Sequence, residues 1–189
     1  MKNATIALLV IFLSAGTVLA EDYKVDTQIS NIEWIGKKKV GSQHNGEVQL
    51  KGGTLTFTNG KLSGGEVIVD LKTITNLDVS NKTYNKKLVD HLKSEDFFDV
   101  ANHPTAKLKI KSVKGNTVKA DVTIRGITKE ISFKVTVKKD SKRVNATANI
   151  VFDRAKFNVK YGSSSFFSGL GDKIIEDNIS LKVVVIARK

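Results

Sequence analysis

Apolar and polar residues alternate with a period of two through most of this chain. In TAKLKIKS the apolar positions are Ala106, Leu108 and Ile110, and in TVKADVTIRG they are Val118, Ala120, Val122 and Ile124. The pattern recurs in EISFKVTVKK (Ile131, Phe133, Val135, Val137) and RVNATANIVF (Val144, Ala146, Ala148, Ile150, Phe152). Such alternation predicts strands that bury one face and wet the other. Lys114-Gly115-Asn116, Arg125-Gly126 and Lys139-Asp140-Ser141 separate the runs as turns. Connections this short pair neighbouring strands antiparallel.

The N-terminal half follows the same logic. SNIEWIGKKK supplies a strand with Trp34, and GEVQLKGGTLTFTNG a long or broken one with a bulge or bend at Gly52-Gly53. Asn59-Gly60 is a hairpin turn, and KLSGGEVIVDLKTI returns from it with Val67, Val69 and Leu71 on one face. The last strand, from about Asn178 to Arg188, is apolar on both faces over Val183–Ile186. Another element must cover its outside, and a homodimer could do so. About eight antiparallel strands with one apolar face either close into a barrel or split into a sandwich. Closure removes sheet edges, which favours an all-β up-and-down barrel over a sandwich.

Two stretches break the rhythm. YNKKLVDHLKSEDFFDVANHP, residues 84–104, predicts a helix capped by Asn81, with Tyr84, Leu88 and Leu92 on one side. Ser94 is a second N-cap candidate, with Glu95 and Asp96 in the first turn of a short helix before Pro104. The segment would offer Leu88, Leu92, Phe97 and Phe98 as an apolar underside covering one end of the barrel, or simply completing the core. YGSSSFFSGLGDKII, residues 161–175, predicts a flexible loop carrying Phe166 and Phe167. Its aromatic pair tucks into the barrel mouth or touches a lipid, membrane or partner.

Residues 1–20 read as a cleaved signal peptide, with an apolar run from Ile6 to Leu13 and small Val18 and Ala20 before Glu21. That leaves 21–189 as one domain, exported to the periplasm or outside of a bacterial cell. With no cysteine, the core must supply the stability, and a thiol nucleophile or Cys-ligated zinc is excluded. The net charge is +12, or +11 without Lys2. The lysines sit singly on alternating positions, so they read as solvated strand faces. Anionic membrane surfaces suit this charge better than nucleic acid. No HExxH, GxSxG or phosphate loop is present, and His44, His91 and His103 have no zinc spacing. No catalytic residue, metal ligand or enzyme activity is therefore expected.

The motif HLKSEDFFDVANHPTAK followed by VTIRGITK, with Trp34, His44-Asn45-Gly46, LSGGEVIVDLKTI, the Arg154…Phe157 region and GDKIIEDNISLKV, resembles the YceI-like family of exported bacterial proteins. The resemblance spans essentially the whole chain after the leader. It implies a lipocalin-like barrel with an elongated pore that binds a long isoprenoid, such as a polyprenyl or quinone tail. The residues agree on one point, because Ala120, Ala146 and Ala148 are small inward positions that leave apolar volume. Trp34, Phe133 and Phe152 would either line that volume or fill it. The expected lipid site therefore comprises these six, Leu92, Phe97 and Phe98 from the cover, Phe166 and Phe167 from the loop, and His44. His44 is either a turn residue or a contact to a ligand head group. Two functions follow: a periplasmic carrier of an apolar chain, or a packed-barrel stress or interaction protein acting through its surface loops.

Overall fold

The computed structural model describes residues 20–189, so the expected leader lies outside the described residues except for Ala20. Its strands are β1 (Ala20–Val25), β2 (Asn31–Lys37), β3 (Gln43–Thr58), β4 (Lys61–Asp70), β5 (Thr105–Lys114), β6 (Thr117–Ile124), β7 (Ile127–Lys139), β8 (Arg143–Asp153) and β9 (Asn178–Arg188). One helix, α1 (Lys82–Lys93), lies between β4 and β5. All pairings are antiparallel, and β3–β4 contact closes the sheet on itself.

Nine strands occupy eight positions in the ring. β2 pairs with residues 43–48 of β3 and 180–184 of β9. β1 pairs with 54–58 of the same β3 and with 187–188 of β9. The two are thus one stave broken at residues 26–30. The break is held by Ser30, whose Oγ donates to the Asp26 carbonyl at 2.7 Å and accepts from the Ile186 amide at 2.9 Å. Ile186 is buried beside this connection, so the outer side of the last strand is covered from within the chain.

The turns follow their sequence. Asn59-Gly60 and Arg125-Gly126 each place two successive residues at positive φ (50° and 77°; 50° and 72°), the geometry whose twist matches paired strands. The β3–β4 register shifts between Leu50 and Gly52, where the bulge was expected. Asn81 caps α1 as predicted, its Oδ1 accepting from the amides of Thr83 and Tyr84 at 3.0 and 3.2 Å.

Three expectations change here. Ser94 does not start a second helix. Its Oγ donates back to the His91 carbonyl at 2.8 Å and it ends α1, so residues 95–98 form only turns. Tyr84 leaves the apolar stripe and is mostly exposed, while Leu88 and Leu92 face the core. The strand AEDYKV at the start, β1, was not signalled at all. Its Tyr23 and Phe57 of β3 are fully buried edge to face, with ring centroids 5.5 Å apart, at the end of the barrel opposite α1.

The ring is incompletely bonded at two places. The β4–β5 ladder ends at Gly65 and Ile110, and the β7–β8 ladder ends at Val135 and Ala148. The upper halves of β7 and β8 are therefore paired on one side only. Amides alternate sides along a strand. The Val135 amide bonds towards β6 and the Arg154 amide towards β9, so those of Glu130, Ser132 and Val151 face the unpaired gap. Their hydrogen exchange is expected to be markedly faster than that of Thr136 and Thr147, where the ladder holds. Equal protection measured by NMR would mean that the seam is bonded in solution.

Candidate ligand-binding cavity

Inward positions of the strands surround a cavity of about 260 Å³ whose wall is almost wholly apolar. This approaches the roughly 300–1,000 Å³ of small-molecule pockets. The wall is built from the period-two positions: Leu55 of β3, Val67 and Val69 of β4, Ile131 and Val135 of β7, and Leu181, Val183 and Val185 of β9. From α1 come Leu88 and Leu92, followed by Phe97 and Phe98. Hairpin β2–β3 adds a polar patch of Lys37, Lys38, Ser42 and His44.

The cover is fastened by residues from both motif stretches. Arg125 donates from Nη1 to the Glu95 carbonyl at 2.8 Å and also to the Phe97 carbonyl. The turn carrying Phe97 and Phe98 is thereby clamped to the β6–β7 hairpin, which gives the co-occurrence of the DFF and TIRG stretches a physical reason. His91 packs edge to face against Phe97 and Tyr161, with centroids 5.2 and 4.4 Å away. Trp34 donates its indole N–H to the Thr75 carbonyl at 3.1 Å, and Asn76 donates to the Asn45 carbonyl at 3.0 Å. These bonds lay residues 75–78 along the start of β3, so that α1 can cross the barrel end.

His44 sits at the polar patch, its Nδ1 2.7 Å from Asp78 Oδ2. Burial pushes the Asp78 carboxyl up, but the Asn45 amide, His44 and Asn76 outweigh it and hold the group below its ordinary value. The pair is therefore a carboxylate with its imidazole partner at the cavity rim.

Arg154 touches the cavity wall but its donors are committed. It reaches the carbonyls of Val159, Ile175 and Glu176 at 2.9, 3.1 and 3.1 Å, and lies 3.4 Å from Asp177. Burial pushes its pKa below the ordinary guanidinium value, with Asp177 and Asp153 opposing that shift. Both arginines thus serve as pins for backbone carbonyls. Among the described residues, no group of three or more His, Asp or Glu could hold a metal ion.

Of the residues expected at the lipid site, Trp34, His44, Leu92, Phe97, Phe98, Phe133, Ala146, Ala148 and Phe152 border the cavity. Ala120 does not. It is fully buried, recessed between its ladder partners Ile110 and Ile131, which do border it. Phe166 and Phe167 also lie off the wall, on the outer surface. The aliphatic wall positions carry the period-two alternation, but alternation marks an inward face and not which of its residues border a void. Ile175 gave no periodic signal and is placed by the loop ahead of β9, whereas Ile179 begins the period-two face that Leu181, Val183 and Val185 continue.

Comparison with known proteins decides the relationship. The YceI-like domain matches residues 23–187. The chain belongs to the YceI-like family. A UPF0312 protein of Pseudomonas fluorescens (strain SBW25) is 34% identical over 152 residues, covering 75% of this chain and 77% of that protein. One from Pseudomonas putida (strain W619) is 32% identical over 146 residues, covering 74% and 73%. Among solved structures, BcnA of Burkholderia cenocepacia aligns with a TM-score of 0.61 at 22% identity, over 86% of this chain and 99% of its own. A polyisoprenoid binding domain from Saccharophagus degradans, implicated in plant cell wall breakdown, aligns with a TM-score of 0.64 at 12% identity, over 88% and 97%. At these identities the structures establish the YceI-like barrel, and the chemistry of this lumen rests on its own residues.

Proposed function

We propose that this YceI-like barrel is an exported, periplasmic carrier that holds the tail of a long isoprenoid or similar apolar lipid in its lumen. The observation that carries the proposal is the apolar cavity, which the side chains leave unfilled although the barrel has only eight staves. An empty apolar void is unfavourable, and a hydrocarbon chain relieves it. Each buried methylene contributes about 0.8 kcal/mol, so a five-carbon isoprene unit contributes about 3–4 kcal/mol before ordering costs. A few units give firm capture with no polar recognition. The Saccharophagus domain's named ligand supports this choice of lipid. The unfilled lumen counts against a packed barrel that works only through its loops. Signal cleavage before Glu21 completes the reading, and is checked by N-terminal sequencing of the periplasmic fraction.

Organic extraction of the purified protein followed by mass spectrometry is expected to yield a long apolar chain. Ala148→Phe tests the position of that chain, since Ala148 borders the cavity between Val135 and Val183 in the ladders. The added ring removes room for about one isoprene unit, roughly 3 kcal/mol, or about a hundredfold in affinity. Farnesol titration should show this loss while circular dichroism stays that of a barrel. Unchanged titration would place the lipid outside the lumen.

A further inference from the structure

We infer that the loop-bearing end of the barrel is a docking face for an anionic phospholipid bilayer, with Phe166 and Phe167 inserted at the headgroup level. The inference rests on the carrier reading and adds where the carrier meets its source of lipid.

Among the described residues, eight large apolar side chains are exposed. Six of them, Val40, Leu77, Tyr84, Tyr161, Phe166 and Phe167, belong to the hairpin, cover and loop at one end of the molecule. Only Ile29 and Val151 lie elsewhere. Phe166 and Phe167 keep 43% and 49% of their surface in water. Burying an aromatic side chain is favourable, so leaving two exposed side by side is unfavourable without an apolar destination.

Charge explains why that destination is a membrane. The chain carries +12 overall, spread around the barrel, so any face is drawn to an anionic surface and the aromatic side chains decide which face lands. At the aromatic end, segments 37–43, 71–104 and 154–177 hold twelve basic against eight acidic residues. Two of those acids are paired locally, Asp90 with Lys86 and Asp177 with the buried Arg154. Glu95, Asp96, Asp172 and Glu176 remain exposed. Lys160 lies over the Phe166 ring with Nζ 5.1 Å from its centroid, pairing a cation with an inserting aromatic group. Each lysine near an anionic leaflet adds to the attraction.

The same elements border the cavity. Tyr161 contacts His91 of α1, whose Leu88 and Leu92 line the lumen. Ile175 lines the lumen and bridges Lys38 of the β2–β3 hairpin. A tail leaving the bilayer at this face therefore meets the cavity's polar rim first, with no passage through bulk water.

The test is vesicle flotation of the purified protein with phosphatidylcholine alone and with phosphatidylcholine containing phosphatidylglycerol. Flotation is expected with the anionic vesicles only, weakening as salt rises. Phe166→Ser/Phe167→Ser should bind about tenfold more weakly or worse, while Val151→Ser on the barrel flank floats as the parent does. Thermal melting and vesicle-free farnesol titration of the double variant should match the parent, since neither side chain supports core or lumen. A parent that does not float overturns the inference, as does a double variant that floats undiminished, or equal losses from Val151→Ser. Farnesol uptake without flotation removes the docking face and leaves the carrier standing. Flotation without uptake does the reverse.

Discussion

Arg154→Met is expected to lower folding stability by roughly 3–5 kcal/mol, the usual cost of removing one partner from a buried charged network. Arg154 has no exposed surface, and its guanidinium is the donor for three backbone carbonyls within residues 154–177. Methionine keeps most of the bulk and removes every donor, so three acceptors lose their partner, that of Val159 in a fully buried place. Asp177 suffers as well. Its Oδ1 is buried with no hydrogen-bond donor and relies on the Arg154 charge 3.4 Å away. At about 2–4 °C per kcal/mol for a domain of this size, the melting temperature should fall on the order of 10 °C. Arg154→Lys should recover little, because a point ammonium cannot reach carbonyls that a planar fork spans. A drop below about 1 kcal/mol in chemical denaturation would show that other contacts hold the 154–177 segment.

Gly46→Ala should be the next most damaging single change. Gly46 sits on β3 opposite Trp34, under the crossing segment that leads to α1. A methyl group there would overlap the Thr75 carbonyl and come within 2.8 Å of Trp34 Cε2. Neither neighbour can yield freely. The Thr75 carbonyl accepts the Trp34 N–H, and the Thr75 amide donates to Glu47 at 2.9 Å. Overpacking of this kind typically costs about 1–3 kcal/mol. Relief requires residues 75–78 to lift from β3, which loosens the cover at its first anchor. Trp34 is the only tryptophan, so its emission reports the event directly. A red-shifted spectrum and a melting temperature lower by about 5 °C or more are expected. An unchanged spectrum would mean that the alanine is absorbed without moving the indole.

Much of the barrel was legible because a half-buried strand writes its burial into every second residue. β5 to β8 are placed by that alternation, and their hairpins by glycine and asparagine, which tolerate positive φ. β1 was illegible for the opposite reason: AEDYKV is polar, and it becomes a strand only because residues 54–58 of β3 overrun β2 and need a partner. Ser94 misled because its hydroxyl can serve the helix behind it or one ahead of it, and only the folded backbone decides which. Tyr84 had helical spacing, but α1 rolls so that its first turn leaves the barrel rim. Cavity-wall residues were legible as a face, whereas the depth of each was not. Ala120 and Ala148 share a type and a period, yet one is recessed and the other borders the void.

The unzipped stretch between β7 and β8 has a mechanical consequence for that void. Every other girth-increasing movement of the upper barrel must break ladder bonds, each worth about 1 kcal/mol. Spreading Ile131 and Phe133 away from Ile150 and Phe152 breaks none, because none joins those stretches. The upper bore is therefore compliant along one line and stiff around the rest of its girth, so a branched guest can be seated by elastic give in the wall rather than by unfolding it.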